Sequence, residues 1–169
     1  MLKGKEEQLK EILLFSTKLL ILSLLLYFVS GNVNFYSFQE FTAEKTLHFF
    51  QLVGTPIERE GIRLTAGGID FPITPDCTAW KGMVFFLALL VSTSFDPRKV
   101  GKGLLVGIPV LYSLNLLRIA VLVFFTLWLG PGVYGVIHGA LWQSTMILAV
   151  IALWLMWKKR AKFITQETN

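Results

Sequence analysis

The sequence has few charged residues and a single cysteine. Charged residues occupy 16% of its 169 positions, whereas an average soluble domain carries about 25%, so the composition excludes an ordinary soluble protein. Because Cys77 is the only cysteine, no disulfide can form within the chain. Its thiol is then either an inert, packed group or a reactive one.

The motifs of several enzyme classes are also absent. The sequence has no H-E-x-x-H, and one cysteine with two distant histidines does not make a zinc site. It has no G-x-S-x-G, no phosphate-binding glycine loop and no internal repeat. We therefore predict neither a metal nor a cofactor. The formal net charge of +5 does not indicate nucleic-acid binding, because the basic residues lie at the ends of apolar blocks, where membrane proteins place them.

Long apolar blocks are what the sequence does contain. Four of them predict transmembrane helices, since a helix needs about 20 apolar residues to cross a bilayer. They span about residues 12–30, 78–95, 103–129 and 136–157. The third is longer than one crossing needs, so we expect a tilted or kinked helix with Pro109 at the bend. The predicted fold class is an all-α integral membrane protein, a four-transmembrane-helix bundle forming a single membrane domain over residues 1–169.

The distribution of Lys and Arg predicts the orientation of these spans. Both terminal tails and the loop at 95–102 are rich in basic residues, whereas segment 130–135 has none. The positive-inside rule then places both termini in the cytoplasm of a multi-pass cell-membrane protein. We expect the first span to be an uncleaved anchor rather than a signal peptide, because it is too long and no A-x-A site follows it.

The long segment 31–76 is predicted to face outside. Residues 38–54 mix apolar and charged side chains in a way that favours an interfacial amphipathic helix, although the period is imperfect. Apolar residues alternate with polar ones on both sides of residues 66–68, which predicts a β-hairpin, and Pro72 suits an edge strand.

Three chemically distinctive residues fall at one predicted depth. Cys77 begins the second span from the outside, and His138 lies near the outer start of the fourth. Arg118 lies 16 residues beyond Lys102, which is roughly 24 Å up a hydrocarbon core about 30 Å thick. We therefore expect the three side chains to lie together near the outer surface.

This trio suits acyl transfer. Arg118 could lower the pKa of the Cys77 thiol or stabilise an oxyanion, and His138 could act as general base and acid. Asn115, three residues before Arg118 on the same helix face, could orient the guanidinium. Asp76 could bond nearby amides, orient His138, or be a plain loop carboxylate. These residues predict a membrane cysteine peptidase or transpeptidase with its active site facing outside.

Other interpretations stay open from the residues alone. A lone cysteine is often inert packing, a histidine at a span end can be interfacial, and an arginine can extend its head to the outer headgroups. The alternative function is a non-catalytic membrane transporter or assembly subunit that binds an anionic ligand or lipid at Arg118.

Three short motifs resemble one known family. The stretches "DCTAWKGM", "NLLRI" and "HGALW" resemble the exosortase/archaeosortase family of multi-pass membrane cysteine transpeptidases, with the "DCxxWK" wording closer to the archaeosortase branch. The resemblance implies that Cys77, Arg118 and His138 are catalytic and that Asn115 supports them. Ala79 stands where the family commonly has glycine, which leaves the turn after the nucleophile uncertain.

The resemblance also implies the partners. The substrates would be membrane-anchored proteins with a C-terminal sorting signal, made of a short motif, a transmembrane helix and a basic tail. Cleavage would occur near the outer membrane surface, and a lipid or water would accept the new C-terminus. Members of the family often have more than four spans, so this chain would correspond to a compact catalytic core.

Overall fold

The structure is a computed structural model that describes residues 2–94 and 96–166. Within that range it leaves out the side chains of residues 2–5, 29, 30, 133, 136–138, 140–143 and 160–166. The described residues form five α-helices: α1 Leu2–Ser30, α2 Tyr36–Leu52, α3 Trp80–Thr93, α4 Pro97–Leu129 and α5 Tyr134–Gln166. They also form three strands: β1 Glu58–Glu60, β2 Arg63–Ala66 and β3 Ile69–Pro72. The chain is thus mostly helical, with a small sheet.

Two of the described helices are long and apolar enough to cross a membrane by length and composition. They are the Glu6–Phe28 part of α1 and all of α4. The apolar helix α3 is shorter than the predicted span 78–95, because Cys77 and Thr78 lie in a 3₁₀ turn and Ser94 is extended. Its 14 residues would span about 21 Å at 1.5 Å per residue. The four-span bundle therefore stays a prediction.

Helix α4 is a single element of 33 residues that continues through Pro109. It begins where the Asp96 side chain accepts a hydrogen bond from the backbone N–H of Arg98 at 2.9 Å, with Pro97 in the first turn. Proline suits that position because its missing N–H would have no helical partner there. The long helix runs from the basic segment at 95–102 to the level of the sheet and α2, with which it packs.

Glycines bring α3 and α4 into close contact. A Cβ at Gly107 would overlap the ring of Phe86, and one at Gly103 would lie 2.9 Å from Cδ1 of Leu90. The two glycines form a G-x-x-x-G pattern, which lets membrane helices approach closely. The apolar cluster around this contact also includes Val150 of α5. Helix α3 is therefore fixed between α4 and α5.

The sheet is a three-stranded antiparallel meander, in the order β1-β2-β3. The predicted hairpin corresponds to β2 and β3, which pair Leu64 with Phe71 across a turn at Gly67 and Gly68. Both glycines have positive φ, 57° and 75°, as a tight hairpin turn requires. The sequence missed β1, because its three residues, Glu-Arg-Glu, are all exposed and show no apolar alternation.

Helix α2 covers the sheet and packs against α4. Its buried residues recur at helical spacing but are mostly polar or small: Gln39, Thr42, Ala43, Thr46 and Phe50. The two threonine hydroxyls donate to backbone carbonyls one turn earlier, at 2.8 Å each. This hidden polar stripe explains the imperfect apolar period of the predicted amphipathic helix.

Candidate active site

Cys77 lies in a 3₁₀ turn, Pro75–Thr78, that joins the sheet to α3. Thr74 precedes the turn in an extended conformation, and Pro75 fixes φ at its first position. The backbone N–H of Cys77 donates to the carbonyl of Thr74 at 2.9 Å, and the hydroxyl of Thr78 donates to that of Pro75 at 2.6 Å. The local sequence thus closes a compact turn around the cysteine.

Ala79 links this turn to α3 through a left-handed backbone conformation. Its φ is 63° and its ψ is 1°, which makes it the one non-glycine residue with positive φ in the described part of the chain. A Cβ in this region costs roughly 1–2 kcal/mol, and glycine avoids the cost. The geometry supplies a physical reason for the glycine that the resemblance associates with this position.

Asn115 connects Cys77 to Arg118. Its fully buried side chain donates from Nδ2 to the carbonyl oxygen of Cys77 at 2.5 Å, and its Oδ1 accepts from Nη2 of Arg118 at 2.8 Å. The same Nη2 lies 3.3 Å from the carbonyl oxygen of Asp76. The structure therefore brings Cys77, Asn115 and Arg118 together, with the two α4 residues on one helix face as their spacing predicts.

The sulfur of Cys77 is buried, with 5% of the residue exposed. Burial raises the pKa of the Cys77 thiol above its ordinary value of 9.0, while hydrogen bonds from Thr74 and the charge of Arg118 act in the opposite direction. The sequence predicted the sign of the Arg118 contribution but not that burial outweighs it. Burial of the sulfur therefore favours the protonated thiol.

The Asp76 carboxylate forms an ion pair with Lys81 at 2.7 Å, where both side chains are about half exposed. Such exposed pairs contribute little stability, about 0–1 kcal/mol. Among the described contacts, its carboxylate pairs with Lys81 and its backbone carbonyl accepts from Arg118. Lys81 was not singled out from the sequence, although a lysine near the start of a span, five positions after an acidic residue, is a usable signal.

His138 lies in α5, one turn after the helix begins at Tyr134. Its side chain is outside the described residues, so the predicted approach of its imidazole to Cys77 stays a prediction. The start of α5 is held against the sheet, because the ring of Tyr134 packs on Phe71 with 6.1 Å between centroids. Tyr134 also contacts the buried cluster that contains Cys77.

A cleft of about 540 Å³ lies between α3, α4 and α5. Asp76, Ala79, Lys81 and Arg118 line it together with an apolar set that is Gly82, Phe85, Met146, Ile147 and Val150. Cys77 is not among the lining residues, although Asp76 and Ala79 on either side of the Cys77–Thr78 pair are. The cleft thus combines charged groups beside the cysteine turn with an apolar extension along α3 and α5.

The comparisons with known proteins agree with the resemblance at the level of the family. The family model described as transmembrane exosortase (Exosortase_EpsH) matches residues 8–141, a range that includes Cys77, Asn115, Arg118 and His138. It does not separate the archaeosortase branch from the rest. No curated protein and no solved structure matches the chain. With most of its length covered by that one model, the chain belongs to the transmembrane exosortase family.

Proposed function

We propose that the chain is a membrane-embedded cysteine transpeptidase or protease that cleaves C-terminal sorting signals of exported proteins near the outer membrane surface. In this proposal Cys77 is the nucleophile, Arg118 stabilises negative charge, and His138 is the general base and acid. Asn115 and Asp76 support them. Family membership supports a membrane transpeptidase-type role in general. The residue roles, the substrate and the outward orientation are specific to the proposal.

The main observation that supports the proposal is that Asn115 forms hydrogen bonds with both Cys77 and Arg118. One buried amide accepts from the guanidinium and donates to the backbone of the cysteine. The relative position of the nucleophile and the cation is therefore set before a substrate arrives. Preorganised charge of this kind stabilises the oxyanion of acyl transfer.

The chemistry proceeds through a thioester. His138 accepts the proton of the Cys77 thiol, and the sulfur attacks the scissile carbonyl carbon to form a tetrahedral oxyanion beside Arg118. Collapse breaks the C–N bond, and the leaving amine takes the proton from His138. Water, or the amine of a lipid, then attacks the thioester carbon. His138 takes a proton from the attacking water or amine, the C–S bond breaks, and the sulfur regains that proton from His138 as the acyl group leaves on the acceptor.

The raised pKa of the Cys77 thiol supports the need for a base. Because burial favours the protonated thiol, the substrate-free enzyme would be protected from unwanted acylation or oxidation. Deprotonation would then accompany substrate binding, when His138 can receive the proton. This differs from enzymes in which a permanent thiolate is present.

The cleft supports a substrate whose scissile bond lies beside an apolar membrane segment. Its charged end lies next to the cysteine turn, and its apolar part follows α3 and α5 through Phe85 and Val150. A substrate helix entering there would place apolar side chains against the cleft wall and its extramembrane peptide bond near Cys77. The exposed Ile147 provides part of that wall.

Co-expression with an exported reporter tests the proposal. The reporter ends in a motif, a transmembrane helix and a basic tail taken from a protein of the same genome. We expect wild type to shorten it, Cys77→Ala to leave it intact, and Arg118→Lys to slow cleavage by about 10²–10³-fold. Leu148→Ala, on an exposed part of α5, is the matched control and should cleave normally. Hydroxylamine should trap the thioester as a hydroxamate at the new C-terminus.

The opposite pattern would support the alternative function. A transporter or assembly subunit that binds an anionic ligand at Arg118 would tolerate Cys77→Ala and fail only on Arg118→Ala. Undiminished cleavage by the Cys77→Ala variant would overturn the transpeptidase proposal.

A further inference from the structure

Thr74 contacts Cys77 through both its backbone and its side chain. Its Oγ1 lies 3.2 Å from Sγ of Cys77, and either atom can be the donor. Its carbonyl oxygen also accepts the Cys77 backbone N–H at 2.9 Å. Thr74 therefore contacts both the backbone and the sulfur of Cys77.

The position of Thr74 is itself set by elements outside the turn. The preceding residue, Ile73, donates its N–H to the carbonyl of Ile62 at 2.9 Å, which extends the pairing of β2 and β3. The carbonyl of Ile73 accepts from Nε2 of Gln39 at 2.7 Å, in a buried bond between α2 and the end of the sheet. Because Ile73 is held on both sides and Pro75 follows, the outer sheet and α2 together place the Thr74 hydroxyl.

We propose that Thr74 is a positioning residue for the nucleophile, and that its hydroxyl orients the Cys77 sulfur through a hydrogen bond throughout the reaction. The inference rests on the proposed role of Cys77 as nucleophile. In the resting state the S–H donates to Oγ1. Once the proton has left for the base, the hydroxyl rotates and donates its O–H to the thiolate, which can only accept. The outer sheet then serves catalysis by holding this hydroxyl.

The chemistry of the pair supports this assignment. A hydrogen bond to an ionised acceptor is about twice as strong as one between neutral groups, so the hydroxyl favours the thiolate over the thiol. The Thr74 hydrogen bonds lower the pKa of Cys77 and act ahead of the charge of Arg118, although burial remains the largest influence. Among described residues, the titratable groups that face the sulfur are Asp76 on the turn, Arg118 on α4 and Tyr134 on α5.

The pH profile of Cys77 alkylation tests the inference without a substrate. The full chain in detergent is treated with iodoacetamide, and the modified fraction is measured by mass spectrometry over a range of pH. We expect Thr74→Val, which keeps the shape and loses the hydroxyl, to raise the midpoint by about one pH unit. Thr74→Ser, which keeps a hydroxyl, should restore it. Thr65→Val is the matched control, because that hydroxyl bonds the exposed Asp70 instead.

Two results would overturn the inference. One is an unshifted midpoint in Thr74→Val, and the other is a serine variant that behaves like valine. Because Thr74 itself is exposed, we expect the variants to fold, and thermal unfolding in detergent checks this. A Thr74→Ala variant gives a second, smaller side chain for which the same shift is expected.

The reporter assay separates this inference from the proposed function. If Cys77→Ala abolishes cleavage while Thr74→Val has the wild-type pH profile, the positioning role fails and the function stands. If Cys77→Ala still cleaves while the profile shifts, the function fails and the Thr74 contact is shown to tune a thiol with another role, so the positioning role in catalysis falls as well.

Discussion

Asn115 accepts a hydrogen bond from Arg118 Nη2 at 2.8 Å within a single turn of α4, and both side chains reach the backbone of the cysteine turn. Asn115 and Arg118 lie three residues apart on α4, and together they link this helix to the cysteine turn, Pro75–Thr78. Loss of the Asn115 side chain therefore leaves the carbonyl of the buried Cys77 without this amide partner.

We expect Asn115→Leu to destabilise the protein by about 2–4 kcal/mol, because it leaves the Cys77 carbonyl and a guanidinium N–H without their amide partner. Thermal unfolding in detergent measures the change. Asn32→Leu is the control, since Asn32 donates to an exposed backbone carbonyl at 3.0 Å, and this substitution should change stability little. Equal effects from both substitutions would contradict the linking role.

Replacement of Ala79 by glycine should maintain or raise stability, by up to about 1 kcal/mol. Relief of the left-handed conformation, about 1–2 kcal/mol, exceeds the lost burial of one methyl, about 0.8 kcal/mol. The same change at Ala149, inside α5, should instead cost about 0.5–1 kcal/mol. A drop in melting temperature of the same size at both positions would show that the conformation at Ala79 carries no strain.

Gly107→Ala should weaken the contact between α3 and α4, because the added methyl would overlap the ring of Phe86. Overpacking of a core typically costs about 1–3 kcal/mol, and the melting temperature should fall accordingly. Gly101→Ala lies in the same helix with nothing within 4 Å of the new Cβ and should be neutral or stabilising. An unchanged melting temperature for Gly107→Ala would mean that the two helices separate easily.

The raised pKa of the Cys77 thiol predicts alkaline sensitivity. Because the folded state favours the protonated thiol, its contribution to stability is complete below the unfolded pKa, which is near 9.0, and is lost as pH rises through the higher folded value. We expect the melting temperature of wild type to fall more between neutral pH and pH values above 9.0 than that of Cys77→Ala. Parallel curves for the two proteins would argue against a raised thiol pKa.

A bulky side chain in the cleft should block substrate entry. Ile147 lines the cleft and is 51% exposed. Ile147→Trp should therefore lower reporter cleavage by roughly tenfold or more, which is the size of effect that a poor fit in an apolar pocket produces. Leu148→Trp, one residue along and outside the lining, should cleave normally. Alkylation of Cys77 by a small reagent should be unchanged in both, so that lost cleavage reports the cleft and not the thiol. Loss of cleavage in both variants would disconnect the cleft from the substrate.

Several features were accessible from the sequence because they depend on local chemistry or on chain length. Apolar blocks located the helices, and alternation located β2 and β3. Counting residues along the third apolar block predicted that Arg118 lies near Cys77, because the rise per residue of a helix is constant. The short motifs around Cys77, Arg118 and His138 identified the family, which the family comparison confirms. The branch and the number of spans stay predictions.

Other features depend on contacts between segments far apart in the chain. Strand β1 exists because its backbone pairs with β2, although its charged side chains carry no strand signal. The sign of the Cys77 pKa shift follows from how much protein surrounds the sulfur. Thr74 became visible only when the turn placed its hydroxyl on that sulfur, three positions along the chain.

The amino-acid sequence by itself determined the helical membrane character of this chain, its family and the residues proposed for acyl transfer, because composition, periodicity and side-chain type are properties of the chain before it folds. Only the tertiary structure decided how the cysteine is held: by Asn115 from α4, by Thr74 at the end of the sheet, and by burial that favours the protonated thiol. Hydrogen-bond partners and desolvation are set by which surfaces meet, and that information appears only when distant segments pack together.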